Sequence, residues 1–379
     1  MKHRVIVKID LNALKRNYRR IVKRVRGAKV LSVLKANAYG LGVGAYAKAL
    51  YAAGCRYFGV AEPFEALELI EVLGDKASVQ LLSSVLPDEI EPMILSGVTL
   101  PLIDFESALL INRTAKKLGK VAHVQLKLDT GMGRLGFLAD TPETIYKTCS
   151  DLKKITALEY LDLNGVFSHF PLAYEPRNEF SFDQIALFKR FLVEASEIGV
   201  DFKYVHIAAS DAINNFPETA LKPFNMVRTG LNLHGSFDPN GIKALKLEPV
   251  LTLTTRIAQI RSLPAGKTLG YGRTYRLPKN AKIATISAGY ADGLPLALSN
   301  RGEVIIKGVR CPIVGRVSMD YTTVDVSRVK GELKPGDEVI CFGKSGKESI
   351  TPDDWALIKG THAYDIICSL GSRVERETV

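Results

Sequence analysis

The sequence predicts an α/β protein, a (β/α)8 TIM barrel followed by a C-terminal all-β domain. Three observations carry this reading. Eight apolar runs of strand length alternate with helix-like stretches between Ile9 and about His234. Beyond about Gly235 the segments become short, β-branched and punctuated by turn signals. Chemically useful side chains recur at the C-terminal ends of the first set of runs, the edge at which barrels build active sites.

In chain order, the basic stretch 15–29 comes first. Leu14, Tyr18, Ile21, Val22 and Val25 recur at helical spacing, and Arg16, Arg19, Arg20, Lys23, Arg24 and Arg26 fill the other faces. That pattern is an amphipathic helix with a solvated basic side. The eight runs are 30–34, 57–61, 79–82, 99–103, 121–128, 163–168, 204–208 and 226–231. Amphipathic stretches such as 62–73, 105–118 and 182–198 lie between them. A doubly wound sheet also fits the alternation, but no Gly-x-Gly-x-x-Gly fingerprint follows the first run. The later segments 249–260, 282–287, 303–306, 309–314, 322–326 and 338–342 read as strands. Pro264-Ala-Gly266, Lys307-Gly308 and Pro335-Gly336-Asp337 read as their turns. The domains are placed at 1–238 and 239–379, with residues 1–10 assigned either to the barrel or to packing on the C-terminal domain.

Composition narrows the function classes. At 46% hydrophobic and 24% charged the chain can build sizeable cores, and no apolar run is long enough to span a membrane. Residues 1–10 hold too short an apolar stretch for a secretory signal. Cys55, Cys149, Cys311, Cys341 and Cys368 lie far apart with no Cys-x-x-Cys spacing, so neither a disulfide framework nor a metal site is expected, and the cytoplasm is the expected compartment. The net charge of +11 raises nucleic-acid binding, but the densest basic stretch carries no nucleic-acid motif. The charge is read as a solvated face that attracts small anions.

Lys35 closes the first run and opens the turn Ala36-Asn37-Ala38-Tyr39-Gly40. An amine delivered there by a buried strand can serve as nucleophile or base; the same position also suits a surface lysine at a strand end. Lys127, Asp129 and Arg134 end or follow the fifth run, Ser168 and His169 the sixth, Ser210 the seventh, and Arg228 and Gly230 lie at the eighth. In Asp129-Thr-Gly-Met-Gly-Arg-Leu-Gly136, glycines around Arg134 let a loop approach a ligand closely, and the planar guanidinium fork suits a carboxylate or phenolate oxygen. Tyr271 sits between two glycines in Gly270-Tyr-Gly-Arg-Thr-Tyr275.

These strings resemble the alanine racemase family. They are Lys35-Ala-Asn-Ala-Tyr-Gly40, Asp129 to Gly136, Met226-Val-Arg-Thr-Gly230, Gly270 to Tyr275, Gly289-Tyr290-Ala-Asp-Gly293, Val314-Gly-Arg-Val-Ser-Met-Asp320 and Gly360-Thr-His-Ala-Tyr-Asp365. They occur in family order over almost the whole chain. The resemblance implies a pyridoxal 5'-phosphate enzyme that interconverts L- and D-alanine with two bases and supplies D-alanine for peptidoglycan. It implies that Lys35 holds the cofactor and is the base on the D face, and that Tyr271 is the base on the L face of the partner's site in a head-to-tail homodimer. Arg134 and the backbone N–H of Met319 would bind the substrate carboxylate. Tyr39, Ser210, Gly230, Leu231 and Tyr364 would hold the phosphate. Arg228 would meet the pyridine nitrogen, and since arginine does not readily give up a proton, that nitrogen would stay largely unprotonated and the ring a weaker electron sink. His169 would bridge Arg228 and the tyrosine, and His169 and Arg228 together would supply it with positive potential. Lys127 matches a lysine often carbamylated in the family. Asp320 and Tyr290 belong to supporting strings.

Three departures stand out. Ala209-Ser210 replaces a common Asn-Ser, Leu296 stands where arginine is frequent, and Arg373-Val-Glu-Arg replaces Arg-Val-Pro-Arg. The first two leave open a racemase of serine, lysine or a broader set of amino acids. A decarboxylase of the same architecture is disfavoured by the Asp129–Gly136 and Gly270–Thr274 strings. A non-catalytic carrier of the cofactor, built on the barrel alone, would lack Tyr271 and the β domain.

Overall fold

The structure, a computed structural model, describes residues 3–379; Met1 and Lys2, which begin the segment with two possible packings, lie outside the described residues. Strand β1 (Ile6–Ile9) does not enter the barrel. It pairs antiparallel with a strand of the C-terminal half and parallel with the last strand of the chain. Asp10 then caps the helix Leu11–Arg24, its carboxylate accepting from the N–H groups of Asn12 and Ala13 at 2.8 Å. Leu14, Tyr18, Ile21 and Val25 are buried as their spacing predicts, each contributing about 1.5–3 kcal/mol. Val22 departs from the expectation and is exposed. At 3.6 residues per turn it stands beside Ile21 on the rim of the apolar stripe, not on it. Arg16 and Arg20 on the outer face reach Glu248 in the segment leading to the C-terminal half.

All eight predicted barrel strands form. They are β2 (Lys29–Val33), β3 (Tyr57–Val60), β4 (Ser78–Leu81), β5 (Leu100–Leu102), β6 (Ala122–Asp129), β8 (Leu161–Phe167), β9 (Tyr204–His206) and β10 (Met226–Thr229), with a two-residue strand β7 (Phe137–Leu138) beside the end of β6. Parallel ladders run β10–β2–β3–β4 and β5–β6–β8–β9. The ring closes through a parallel bridge between Gln80 and Thr99, and through Asn225 N–H to Val205 O and Arg228 N–H to Ala208 O, both 3.0 Å. Helices pack on the outside because each intervening segment is apolar on one face; the helix Phe105–Leu118, for example, buries Ala108, Ile111 and Ala115.

The C-terminal half holds β11 (Leu251–Leu263), β12 (Thr268–Leu269), β13 (Tyr275–Arg276), β14 (Ala281–Ile286), β15 (Glu303–Ile306), β16 (Val309–Pro312), β17 (Thr322–Asp325), β18 (Glu338–Ser345), β19 (Glu348–Ile350) and β20 (Glu375–Thr378). Its main sheet runs β16–β15–β18–β11–β1–β20, with β14 and β17 continuing from β11 and β19 from β18. Two short helices, Pro352–Lys359 and Ala363–Cys368, accompany the strands. Thr351 caps the first, and Trp355 packs its ring edge-on to Phe342 at 5.2 Å. The second carries Tyr364 onto the mouth of the barrel.

Candidate active site

A cavity of about 650 Å³ opens at the C-terminal ends of the barrel strands. Lys35, Tyr39, Lys127, Arg134, His169, Ser210, Arg228, Gly230 and Tyr364 all line it, so nine of the residues singled out in the sequence converge in one place. Four of these are cations. The one carboxylate lining the cavity among the described residues, Asp365, is taken up by Lys359 at 2.6 Å. The cavity therefore favours anions such as a phosphate or an amino-acid carboxylate.

Lys35 leaves the end of β2 on an unusual backbone. Ala36, Asn37, Ala38 and Tyr39 coil left-handed, with φ between +52° and +60°. None is glycine, and each such residue costs about 1–2 kcal/mol in this conformation. The surroundings hold the turn in place. Buried Glu65 accepts the Asn37 N–H at 3.2 Å and those of Ala61 and Glu62 at 3.1 Å. The Asn37 side chain accepts from Val43 N–H at 2.7 Å, and Ala38 N–H donates to Leu34 O at 2.8 Å. The coil turns Lys35 and Tyr39 into the same cavity. The Lys35 side chain is open to that cavity and is not desolvated by its own chain.

The phosphate-sized corner is built from short groups. Ser210 Oγ lies 3.1 Å from the Gly230 N–H, and the Tyr364 hydroxyl accepts from Leu231 N–H at 2.9 Å. Tyr39 stacks on Tyr364 at 5.1 Å. A Cβ on residue 230 would stand 2.1 Å from the Tyr39 oxygen, so only glycine leaves this corner open. The Thr229 hydroxyl beside it is buried without a hydrogen-bond partner among the described residues. Backbone N–H groups, hydroxyls and a Cβ-free floor are the donor set a phosphate monoester requires.

Arg228 is buried in the wall of the same cavity. Its guanidinium donates to the carbonyls of Ser168 (2.6 Å) and Ile207 (2.8 Å), and to Nδ1 of His206 (2.7 Å) and of His169 (3.2 Å). Burial, reinforced by Arg134, pulls it down to about 9, which leaves it charged at neutrality. Both imidazoles accept from it. Burial first, then Arg228, Lys127, Arg134 and Lys35, drive the His169 pKa well below the usual imidazole value. The neutral form of His169 is thereby favoured, which leaves positive potential to the cations packed around it, Arg228 first among them. His206 was not singled out in the sequence, because it sits inside an apolar strand. It passes the contact on to Gln125 at 2.9 Å, which is bonded in turn to Gln80 at 2.8 Å inside the barrel.

Lys127 lies over the Phe167 ring at 4.7 Å, and burial together with Arg228 and Arg134 brings its amine down to about 7. Asp129 does not face the cavity. Its carboxylate accepts the backbone N–H groups of Gly131 and Gly133 (3.0 Å each) and Arg134 (2.9 Å), so it folds the glycine loop that presents Arg134. Burial opposes ionisation of Asp129, but these bonds outweigh it and hold its pKa below the usual carboxylate range. Ala209, Cys368 and His362 also line the cavity. The first is one of the departures; Cys368 sits on the helix that carries Tyr364, where no local pattern marks it, and His362, the cap of that helix, lies inside the Gly360–Asp365 string, which assigns it no role.

The structure does not bring Tyr271, Met319, Asp320, Tyr290 or Leu296 to this cavity. Tyr271 is 72% exposed on a short turn of the C-terminal half, and Met319, Tyr290, Leu296 and Tyr321 are exposed large side chains in the same half.

Fold and site define a two-domain barrel enzyme built to hold a phosphorylated cofactor beside a lysine amine. The family model for the alanine racemase N-terminal domain matches residues 9–238, and that for the C-terminal domain matches residues 250–378. The chain belongs to the alanine racemase family. It is 37% identical to the alanine racemase of Carboxydothermus hydrogenoformans over 98% of each chain, and 35% identical to that of Methanococcus maripaludis over 99% of each. Among solved structures, the alanine racemase of Streptomyces coelicolor superposes with a TM-score of 0.92 at 31% identity, covering 99% of this chain and 98% of that one. The enzyme of Bartonella henselae, solved with covalently bound pyridoxal phosphate, gives 0.88 at 31% identity over 100% of both chains. No helix among the described residues is long and apolar enough to cross a membrane.

Proposed function

We propose that the protein interconverts L- and D-alanine with pyridoxal 5'-phosphate, in a cytoplasmic homodimer with shared active sites that supplies D-alanine for the cell wall. The observation that carries this reading is the meeting of a lysine amine, a phosphate corner, a buried arginine and a loop arginine in one cavity. We place the division of labour at residue 238, with the barrel binding the cofactor and the C-terminal domain adding Tyr364 to that site and supplying the second base to the partner's.

Tyr39, Ser210, Gly230, Leu231 and Tyr364 hold the phosphate. Arg228 would meet the ring nitrogen of the bound cofactor and would leave it largely unprotonated, because a guanidinium does not readily give up a proton. When bound, the cofactor stabilises negative charge at the substrate Cα. Arg134 and the N–H of the partner subunit's Met319 fix the substrate carboxylate, which sets the Cα–H bond between two bases. Lys35 Nζ exchanges the proton on the D face. The phenol oxygen of the partner subunit's Tyr271 exchanges it on the L face. Inversion needs both, since one base returns the proton to the face it left; each contributes about 10²–10⁴-fold. His169 accepts from Arg228 at Nδ1, so its proton sits on Nε2, where it donates to the tyrosine oxygen. Lys127, brought to about 7, is largely unprotonated above neutrality and open to carbamylation, which places a negative charge beside Arg134. Asp320 and Tyr290 support the Met319 loop.

The test is turnover of L-alanine, L-serine and L-lysine by purified protein with added pyridoxal phosphate, read by chiral chromatography. Racemisation of alanine above the others is the expected result. Preference for serine or lysine would shift the reading to another amino-acid racemase, in line with Ala209 and Leu296, and no racemisation of any substrate would sink it.

A further inference from the structure

The last residues of the chain touch both halves of the chemistry. Arg373 makes a two-pronged ion pair with Asp292 (2.7 and 3.0 Å), which is almost fully buried, and a further pair with Asp320 at 2.7 Å; it also donates to Met319 O at 3.5 Å. Asp292 in turn accepts the Gly289 N–H at 2.9 Å, and the N–H groups of Tyr290 and Ala291 bond to Ser318 O and Met319 O at 3.0 and 3.1 Å. The turn 289–293 and the loop 318–320 are therefore zipped together, so closely that a Cβ on residue 289 would stand 2.1 Å from Ser318 O. Arg373 is the clasp on that zip. Three residues later, Arg376 donates to Gly40 O at 2.9 Å, which ends the left-handed turn carrying Lys35 and Tyr39. It also gathers the carbonyls of Leu370, Gly371 and Val374, at the start of the strap that bears Arg373. A planar guanidinium with five fixed donors can serve this many acceptors, whereas an ammonium cannot reproduce the fork.

We propose that residues 370–376 form a strap that positions both half-sites: Arg376 sets the Lys35 turn of its own chain, and Arg373 sets the Met319 loop that serves the partner subunit. Both are positioning residues. The inference rests on the shared-site reading above, and it assigns the two arginines opposite directions of action, Arg376 in cis and Arg373 in trans.

Hybrid dimers separate the two directions. A Lys35→Ala chain mixed with a Tyr271→Phe chain contains one intact site, which uses the barrel of the Tyr271→Phe chain and the β domain of the Lys35→Ala chain. With subunit exchange demonstrated, Arg373→Lys placed on the Lys35→Ala chain is expected to raise KM for alanine about tenfold with kcat within twofold; on the other chain it leaves KM unchanged. Asp320→Asn, which alters an exposed carboxylate and spares the fold, shifts KM in the same sense and from the same chain. Arg376→Lys shows the reverse placement. It acts from the Tyr271→Phe chain, lowers kcat about fivefold and speeds release of the cofactor, followed by its visible absorbance. A general loss of stability would lower the amount of active dimer without moving KM and without depending on which chain carries the change. Equal effects from either chain, or an unchanged KM with both Arg373→Lys and Asp320→Asn, overturn the inference alone. An unmodified hybrid with no activity removes the shared-site reading and the inference with it.

Discussion

The barrel cavity and the exposed edge of the β domain carry the two halves of the proposed chemistry, and they are built on opposite plans. The cavity is held by side chains: Arg228 bonds three carbonyls and two imidazoles through its two terminal nitrogens, Glu65 fixes the Lys35 turn, and Asp129 folds the Arg134 loop. The β-domain edge is held from behind by backbone pairing and one arginine, and it leaves Tyr271 and Met319 bare. The cavity is thus a finished binding site within one chain. The edge leaves these groups exposed, and in the proposed homodimer a second copy completes their surroundings. On the proposed reading cofactor binding and racemisation separate: one chain, its barrel together with Tyr364, serves the first, and the second needs both surfaces.

Lys35→Ala gives the largest expected effect, because it removes the amine that serves as both anchor and base. Racemisation falls by more than about 10⁴-fold in both directions, measured by chiral chromatography. Tyr271→Phe sharpens the comparison. Activity falls by about 10²–10⁴-fold while cofactor absorbance and affinity stay as in the parent, because the barrel is untouched; a large loss of cofactor would break the separation. Tyr364→Phe probes the opposite side. Loss of one hydrogen bond to an anionic phosphate costs about 1.5 kcal/mol, roughly tenfold in cofactor Kd by fluorescence titration, with little change in kcat at saturating cofactor.

The smallest effect is a pH slope. Lys127 is lowered by burial, with Arg228 and Arg134 adding to it, to about 7 from 10.5. Below about 7 the amine is charged in both folded and unfolded chains, and burying it costs stability. Between about 7 and 10.5 the unfolded chain binds more protons, so stability from this group rises with pH. The stability advantage of Lys127→Met over the parent is therefore largest at or below pH 7 and shrinks toward pH 10, in denaturant melts run free of carbon dioxide. A constant difference would show that Lys127 is not desolvated by the cavity.

The eight barrel strands were legible because buried parallel strands read as apolar runs, and the residues at their ends mark the cavity. What escaped was mostly non-local. His206 is concealed by its apolar neighbours, and its role exists only where β9 meets β10. The left-handed coil after Lys35 has no glycine to announce it, and Glu65 stabilises it from 28 residues away. Val22 was misplaced because the periodicity resolves a stripe but not its rim. The sequence reads His169 as a charge, whereas its burial, with the cations packed around it, favours the neutral ring. Packing of residues 1–10 on the C-terminal domain is one of the two placements the sequence offers, and the pairing of β1 with β11 and β20 takes it up; only the partner strands and their register depend on contacts far along the chain.

That pairing has a consequence in time. Strand β1 leaves the ribosome roughly 240 residues before β11, its antiparallel neighbour, which at about 5–20 residues per second is a wait of roughly 12–50 s. Throughout that interval Val5, Val7 and Ile9, fully covered in the finished fold, have no sheet to join, while the entire barrel is made between them and their partners. A chaperone that grips short apolar segments has its window there, and charged substitutions at these three positions would trade that exposure for a sheet unable to close.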